Sequence, residues 1–456
     1  MLRWTTVTEG AAMIASADLR MSRKLALLAL TAASAMALLG AGPADALPYR
    51  DTLTQWADRL DAAAVELDSA PVQASTRIGE GGLMKLGSSG ERVGRLAQRL
   101  AELGLLPADK VSEVFTVDID RAVKAFQLAQ RMKPDGLIGA GTRAALDRTP
   151  AEAAALMRQS AVAMRSFRDT APDNILVVNL TNQTTTLVRG GEEELTMRAI
   201  VGRPSRETPL LTDRITHVIV NPTWTVPPTV LKEDKLPNLR AKGTPGIQNA
   251  IVYLDGQEVA PETVDWHDVT PGRVRIVQQP GDHNALGRFR FNLTNPYDIY
   301  LHGTNEPRLF ARELRSISSG CVRLEDPRKL AELLLQGTSV TPERIDRLLS
   351  KQQPQWVKLA APMPVQFVYW IATVEADGAV RLHPDIYDRL DDAPAAMSVP
   401  APQPGLLPGT TPAAAPALSP APAAMPPAGR QPDAGRAAMP LDKSGTAEKS
   451  ADKSSV

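Results

Sequence analysis

Apolar residues between 83 and 149 recur at helical spacing. In ERVGRLAQRLAELGLL, Val93, Leu96, Leu100 and Leu103 fall on one face, and Gly104 ends the run. DIDRAVKAFQLAQRM repeats the pattern with Ala122, Val123, Phe126 and Leu128, with Asp118 placed to cap it. KPDGLIGAGTRAAL supplies a turn and a third short helix, so 83–149 predict a small three-helix module. Residues 47–82 predict a helical arm and 150–172 a linker helix. From Asn174 the period changes. NILVVNL, TTTLV, LTMRAIV and ITHVIVN are short, rich in β-branched residues, and separated by turn signals at Asn182-Gln183 and Gly190-Gly191. VRIVQQ, RFRFNL and DIYLHG continue the series, which predicts a mostly β, sandwich- or barrel-like domain over 173–390. One proline-rich, partly helical interruption, about 225–272, is too long for an idle loop in a compact domain and predicts a lid or binding element. EDPRKLAELLL and TPERIDRLL predict helices capped by Asp326 and Thr341, with Pro327 and Pro342 in their first turns, and a last hairpin turns at Asp377-Gly378. The expected fold class is multidomain α+β.

The two ends carry a different signal. Arg20, Arg23 and Lys24 precede an apolar run from Leu25 to Leu39, and Ala44-Asp45-Ala46 closes it as an A-x-A site. The run is short against the ~20 residues that span a bilayer. It predicts an export signal over 1–46, with Met21 as a second possible start, cleavage after Ala46 and no retained anchor. The expected location is a periplasm or cell wall. Residues 393–456 hold 13 of the 38 prolines and no aromatic residue, a composition that predicts a disordered tail. Lys and Arg total 51 against 51 Asp and Glu, which leaves no electrostatic footprint for nucleic acid.

An exported chain keeps its cysteines in oxidising surroundings, where they normally pair. Cys321 is the only one in 456 residues. It is an inert buried thiol, an intermolecular disulfide partner or a nucleophile, and its neighbours must decide. DIYLHGTNEPRLFARELRSISSGCVRL ends a strand at His302 and places Cys321 nineteen residues later. An imidazole beside a thiol can take its proton, and a third group on the far ring nitrogen then fixes the tautomer. Ser318, Ser319 and Gly320 give a small approach on which backbone N–H groups can face an oxyanion. The opposing reading is a structural strand-end histidine and a core thiol. His217, His267, His283 and His383 lack metal-ligand spacing, and no metal or cofactor is expected.

LGSSGERVGRLAQRLAELG, AVKAFQLAQ and DGLIGAGTRAAL occur in the order and spacing of the peptidoglycan-binding domain, which residues 83–149 resemble except at VSEVF. HGT, a spacer, and SSGCVR resemble the signature of L,D-transpeptidases with the YkuD catalytic fold. NPTWTVPPTVLKEDKLP, GDHNALGRFRFN and PVQFVYWIATVEADGAVRLHPDIYDR resemble that family's large, lid-bearing YcbB-type branch. The resemblance implies Cys321 as nucleophile, His302 as general base and the Gly303 carbonyl as the group orienting the imidazole. It implies Arg323 as a holder of a substrate carboxylate, Tyr300 near the acyl carbonyl, and Trp224 lining the substrate slot. Ser319 and Gly320 complete the cysteine approach. Many small family members have histidine where this chain has Ser319, a departure that leaves an oxyanion role for that side chain open. The implied activity is formation of a cysteinyl thioester with a peptidoglycan tetrapeptide stem, loss of D-alanine and transfer to an amine, giving 3→3 crosslinks. Alternatives are another acceptor (water, a D-amino acid or an envelope protein) and a non-catalytic wall-binding protein. Implied partners are stem peptides and glycan strands, with carbapenem-type β-lactams as inhibitors.

Overall fold

The computed structural model describes residues 47–69, 75–130 and 132–389. The expected export signal and the proline-rich tail lie outside these residues. Helix α1 (Tyr49–Asp68) precedes the module helices α2 (Glu91–Glu102), α3 (Val117–Ala129) and α4 (Ala140–Asp147), and α5 (Pro150–Thr170) follows them. Val93, Leu96, Leu100, Ile119, Val123 and Phe126 bury together in the module's own core. Two details differ from the sequence pattern. Thr116, not Asp118, caps α3, its hydroxyl accepting from the Ile119 N–H. Leu128 is 67% exposed, because a position two residues past Phe126 turns to the opposite side of a 3.6-residue helix.

The arm and linker are not separate from the β domain. Helices α1 and α5 run antiparallel, with Arg165 held by Asp58 and Asp61 and Arg50 donating to the Ala171 carbonyl. Leu53, Ala57, Leu60 and Ala64 form one stripe on α1 and share a core with Phe167 of α5 and the barrel interior. Phe167 meets Trp370 edge to face at 5.3 Å. The expected boundary near residue 172 therefore cuts through a packed core. Thr149 and Glu152 close a capping box at the start of α5, so the chain re-enters this pair abruptly after the module.

Strands β1 (Ile175–Asn179), β2 (Thr184–Arg189), β3 (Glu192–Gly202) and β4 (Thr212–Val220) open the barrel. Outside it lie β5 (Trp224–Thr225), β6 (Ala250–Leu254), β7 (Gln257–Val259) and β8 (Val274–Gln278). The barrel resumes with β9 (Phe289–Asn292), β10 (Leu301–His302), β11 (Ser316–Ser318), β12 (Val322–Leu324) and β13 (Gln355–Val368). The sheet order β11-β3-β12-β10-β9-β4-β13-β1-β2, with β2 pairing back to β3, closes a barrel-like circuit. Closure leaves no free edge along the main circuit. Helices α7 (Pro327–Leu334) and α8 (Pro342–Ser350), counted after the insertion's α6 (Leu236–Lys242), start at Asp326 and Thr341, which accept from the Lys329 and Arg344 N–H groups. The hairpin β14 (Ala372–Val374) and β15 (Val380–Leu382) turns at Gly378, whose φ is +77°.

The interruption is a folded unit rather than a loop. Strands β5, β8, β6 and β7 make a separate sheet, in that order. Pro228–Val230, a π-helical turn at Leu231–Lys235 and α6 cover it. Leu231, Leu236, Leu239, Val252, Trp266 and Ile276 form its core. VRIVQQ belongs here and not to the barrel, because Val274 and Ile276 pack on this core. The unit thus runs from Trp224 to Gln278, wider than the expected 225–272.

Candidate active site

Register places the chemistry. Across four strands, Val218, Phe291, Leu301 and Val322 lie side by side, all fully buried in the barrel interior. Because side chains alternate along a strand, the adjacent row faces outward: Ile219, Arg290, His302, Arg323 and Ile200, each opposite the next. Cys321 and Tyr300 stand one step away on this face, where the Val322 N–H donates to the Tyr300 carbonyl at 3.1 Å. His302 and Tyr300 are in ring contact, centroids 5.6 Å apart. The structure therefore brings Tyr300, His302, Cys321 and Arg323 to one face, and adds Arg290.

The loop before the sulfur is fixed from behind. Gly320 has φ +116°, and a Cβ there would press Ile299 at 3.2 Å. The Ser318 hydroxyl accepts from the Gly320 N–H (3.1 Å) and donates to the Cys321 carbonyl (2.6 Å). The Gly320 N–H is therefore committed inside the loop instead of facing outward as an oxyanion donor. Thr208 donates to the Gly320 carbonyl (2.7 Å) and accepts from the Gly202 N–H (2.9 Å). Tyr387 in turn accepts from the Thr208 N–H and donates to the Gly202 carbonyl. Sequence reasoning missed Thr208 and Tyr387, since nothing in their local pattern links positions more than a hundred residues apart.

Arg206 was missed as well. Its guanidinium is nine-tenths buried, donates to the Ser319 hydroxyl at 3.0 Å, and pairs with Glu233 and with Asp234 at 3.3 Å. Both acids are neighbours in the π-helical turn of the insertion. The Arg206 guanidinium holds the Glu233 carboxyl below the usual carboxylate range.

Burial sets the resting protonation states. It lowers His302, which is 5% exposed, to about 3, and the guanidinium charges of Arg323 and Arg290 push the same way. The Gly303 and Leu286 carbonyls pull in the opposite direction, although buried Nδ1 meets no acceptor in hydrogen-bond geometry. Cys321 retains partial surface exposure, yet burial of the thiol pushes it up to about 11. Tyr300 and Arg290 favour its thiolate and Asp298 opposes it. The thiol is free and lies 3.5 Å from the Asp298 carbonyl. Burial also holds the Tyr300 phenol well above its usual range.

The remaining expected residues divide. Gly303 is squeezed between Pro327 and the Leu286 carbonyl, where a Cβ would approach to 3.1–3.2 Å, and its N–H donates to Phe289. Buried Asn284 anchors that neighbourhood, accepting from the Leu286 N–H and donating to the Pro222 carbonyl. Arg323 is paired with Glu306 at 3.6 Å, so its charge is partly met within the chain. Trp224 does not join the face: it pairs with Gln278 and packs on the insertion's core.

Residues 173–341 match the model described as the L,D-transpeptidase catalytic domain. Over those residues the chain is similar to that family. Residues 89–146 match the "Putative peptidoglycan binding domain", a segment that precedes the first match. A curated "Putative L,D-transpeptidase" of Haemophilus influenzae is 36% identical over 219 residues, covering 47% of this chain. The match takes in 44% of that relative, less than half its length. Among solved structures, L,D-transpeptidase 3 from Mycobacterium tuberculosis with a faropenem-derived adduct is 15% identical, with a TM-score of 0.22, over 43% of this chain and 60% of that one. An L,D-transpeptidase from Stackebrandtia nassauensis is also 15% identical, with a TM-score of 0.18, over 65% and 97%.

Proposed function

We propose that this chain is an exported cysteine transpeptidase of the large, lid-bearing branch, acting on peptidoglycan tetrapeptide stems in the periplasm. The observation that carries the reading is the outward face that joins Cys321, His302, Tyr300 and Arg323 over a rigid barrel. At neutral pH the pair rests as thiol and imidazole. The Sγ proton passes to His302 as Sγ bonds to the carbonyl carbon of the third stem residue, and the C=O electron pair moves to oxygen. Collapse of that intermediate restores the carbonyl and breaks the C–N bond. The leaving D-alanine amine takes the proton from His302, and a thioester remains. An amine on a second stem then attacks the thioester carbonyl and gives its proton to His302, the C–S bond breaks as that proton passes to the Cys321 sulfur, and the new amide bond closes a 3→3 crosslink.

Tyr300 stands beside the sulfur and faces the acyl carbonyl in this scheme, while Arg323 and its Glu306 partner shape the pocket. Gly303 contributes backbone only, since a side chain there would strike Pro327. The module and the barrel flank a cleft of about 1050 Å³, lined by Gln127, Thr142, Asn182 and Arg315 and by none of the four face residues, and glycan strands are held there, apart from the chemistry. The deciding experiment incubates the protein with disaccharide-tetrapeptide and reads products by mass. Crosslinked dimer supports the reading. Tripeptide or exchanged tetrapeptide keeps the acyl-enzyme but changes the acceptor, and an inert substrate leaves a wall-binding protein.

A further inference from the structure

Arg290 is the charged residue on this face that no role above absorbs. It lies directly opposite His302 on β9. Its Cζ is 4.1 Å from the centroid of the Tyr300 ring, and that ring lies against both His302 and the sulfur. Nη2 donates to Asn292 at 3.0 Å, while Nε is buried without a partner. Among the described residues no carboxylate pairs with it, whereas Arg323 has Glu306 and Arg206 has Glu233 and Asp234. Removing a guanidinium from water is costly unless an anion compensates it. A half-buried cation without one, beside a nucleophile, is placed for an anion that arises during the reaction.

We propose that Arg290 is a charge-supplying positioning residue: laid over Tyr300, it provides the fixed positive charge against which negative charge develops on Cys321, and it holds the phenol ring beside both imidazole and sulfur. It exchanges no proton and forms no bond. The proposal rests on the reading of Cys321 as the nucleophile. Around the sulfur, Tyr300 and Arg290 favour the anion and Asp298 opposes it, while Arg323, whose charge is partly met by Glu306, interacts with both the sulfur and His302. Arg290 disfavours protonation of His302 while favouring ionisation of Cys321. It therefore biases the pair toward a thiolate beside a neutral imidazole.

The test is the pH profile of iodoacetamide alkylation at Cys321 in the full chain, with thermal unfolding as a control for the fold. Arg290→Gln should move the profile to higher pH and slow alkylation below its midpoint by about tenfold, the scale of one opposite charge removed from beside a thiolate. Arg290→Lys should restore most of the rate. Arg290→Met, which keeps an unbranched stem over Tyr300, repeats the measurement if the Gln variant fails to fold. In turnover, kcat should fall with KM little changed. An unmoved profile overturns the proposal, and a raised KM beside an unmoved profile reassigns Arg290 to a substrate carboxylate. The alkylation needs no peptidoglycan. A displaced profile without turnover would thus sustain the role of Arg290 and remove the transpeptidase reading, and full turnover with an unmoved profile would do the reverse.

Discussion

The Arg206 guanidinium donates to the Ser319 hydroxyl at 3.0 Å, two residues before Cys321, while the same side chain holds two acids of the insertion. One buried cation thus ties the insertion to the cysteine loop. Ion pairs with an exposed carboxylate hold an element only weakly, so they can open without unfolding the chain. Glu233→Gln with Asp234→Asn should therefore raise the rate of acylation by a bulky β-lactam about fivefold. The final stoichiometry should stay at one drug per chain. A rate equal to wild type would show that the insertion does not limit access.

Acylation itself should map to one atom. The strained carbonyl of a carbapenem can occupy the place of the donor carbonyl, and Cys321 is the only thiol in the chain. Intact-protein mass should show one added drug mass on the wild type and none on Cys321→Ala. Persistence of the adduct in the variant would place the chemistry elsewhere.

With His302 near 3 and Cys321 near 11, the resting pair is neutral across the physiological range. Alkylation of Cys321 should climb with pH toward about 11, without the plateau near neutrality that a thiolate–imidazolium pair gives. His302→Gln should leave that rise nearly unchanged yet cut stem-peptide turnover ~10²-fold or more. A neutral-pH plateau in the wild type would mean a preformed ion pair.

His383 gives a separate pH signature. Burial, with help from Arg381 and Arg148, lowers it to about 3, and its Nε2 lies 2.7 Å from the Thr373 hydroxyl. The unfolded chain takes up this proton first, near 6.5, so stability is complete above that value and drains as pH falls toward 3. The loss approaches ~1.4 kcal/mol per pH unit for such a group. Urea midpoints between pH 7 and pH 4 should fall less steeply in His383→Gln. Identical slopes would assign the acid limb to other groups.

The module should separate from the catalytic domain only along the right seam. Replacing residues 75–148 with a short linker between α1 and α5 should preserve action on soluble fragments and weaken sacculus binding. A truncation beginning at Pro172 should not fold, because it strips fully buried Phe167 and its neighbours from the barrel. Phe167→Ala alone should cost ~3–5 kcal/mol. A stable, active Pro172 truncation would refute this division.

Local pattern alone was enough for the three module helices, the capped α7 and α8, most barrel strands and the His302–Cys321 spacing. Each of these depends on neighbours within a few residues, through side-chain periodicity, helix caps or turn preferences. Pairing across the chain was beyond it. Period-two alternation tells that Leu301 and His302 face opposite ways, but not that Arg290 and Arg323 flank His302, since register is set by which strands meet. The apolar stripes of α1 and α5 read as a free arm and a linker because a stripe does not name the surface that covers it, and the barrel core decided that. Val274 and Ile276 alternate like barrel residues and were claimed by the insertion's core instead. Arg206, Thr208, Tyr387 and Arg290 carry no local signature, and their importance comes from burial and charge contributed by segments tens to hundreds of residues away. The residue types alone determine which groups can react, and tertiary packing, through desolvation and register, decides which of them face one another and in what protonation state.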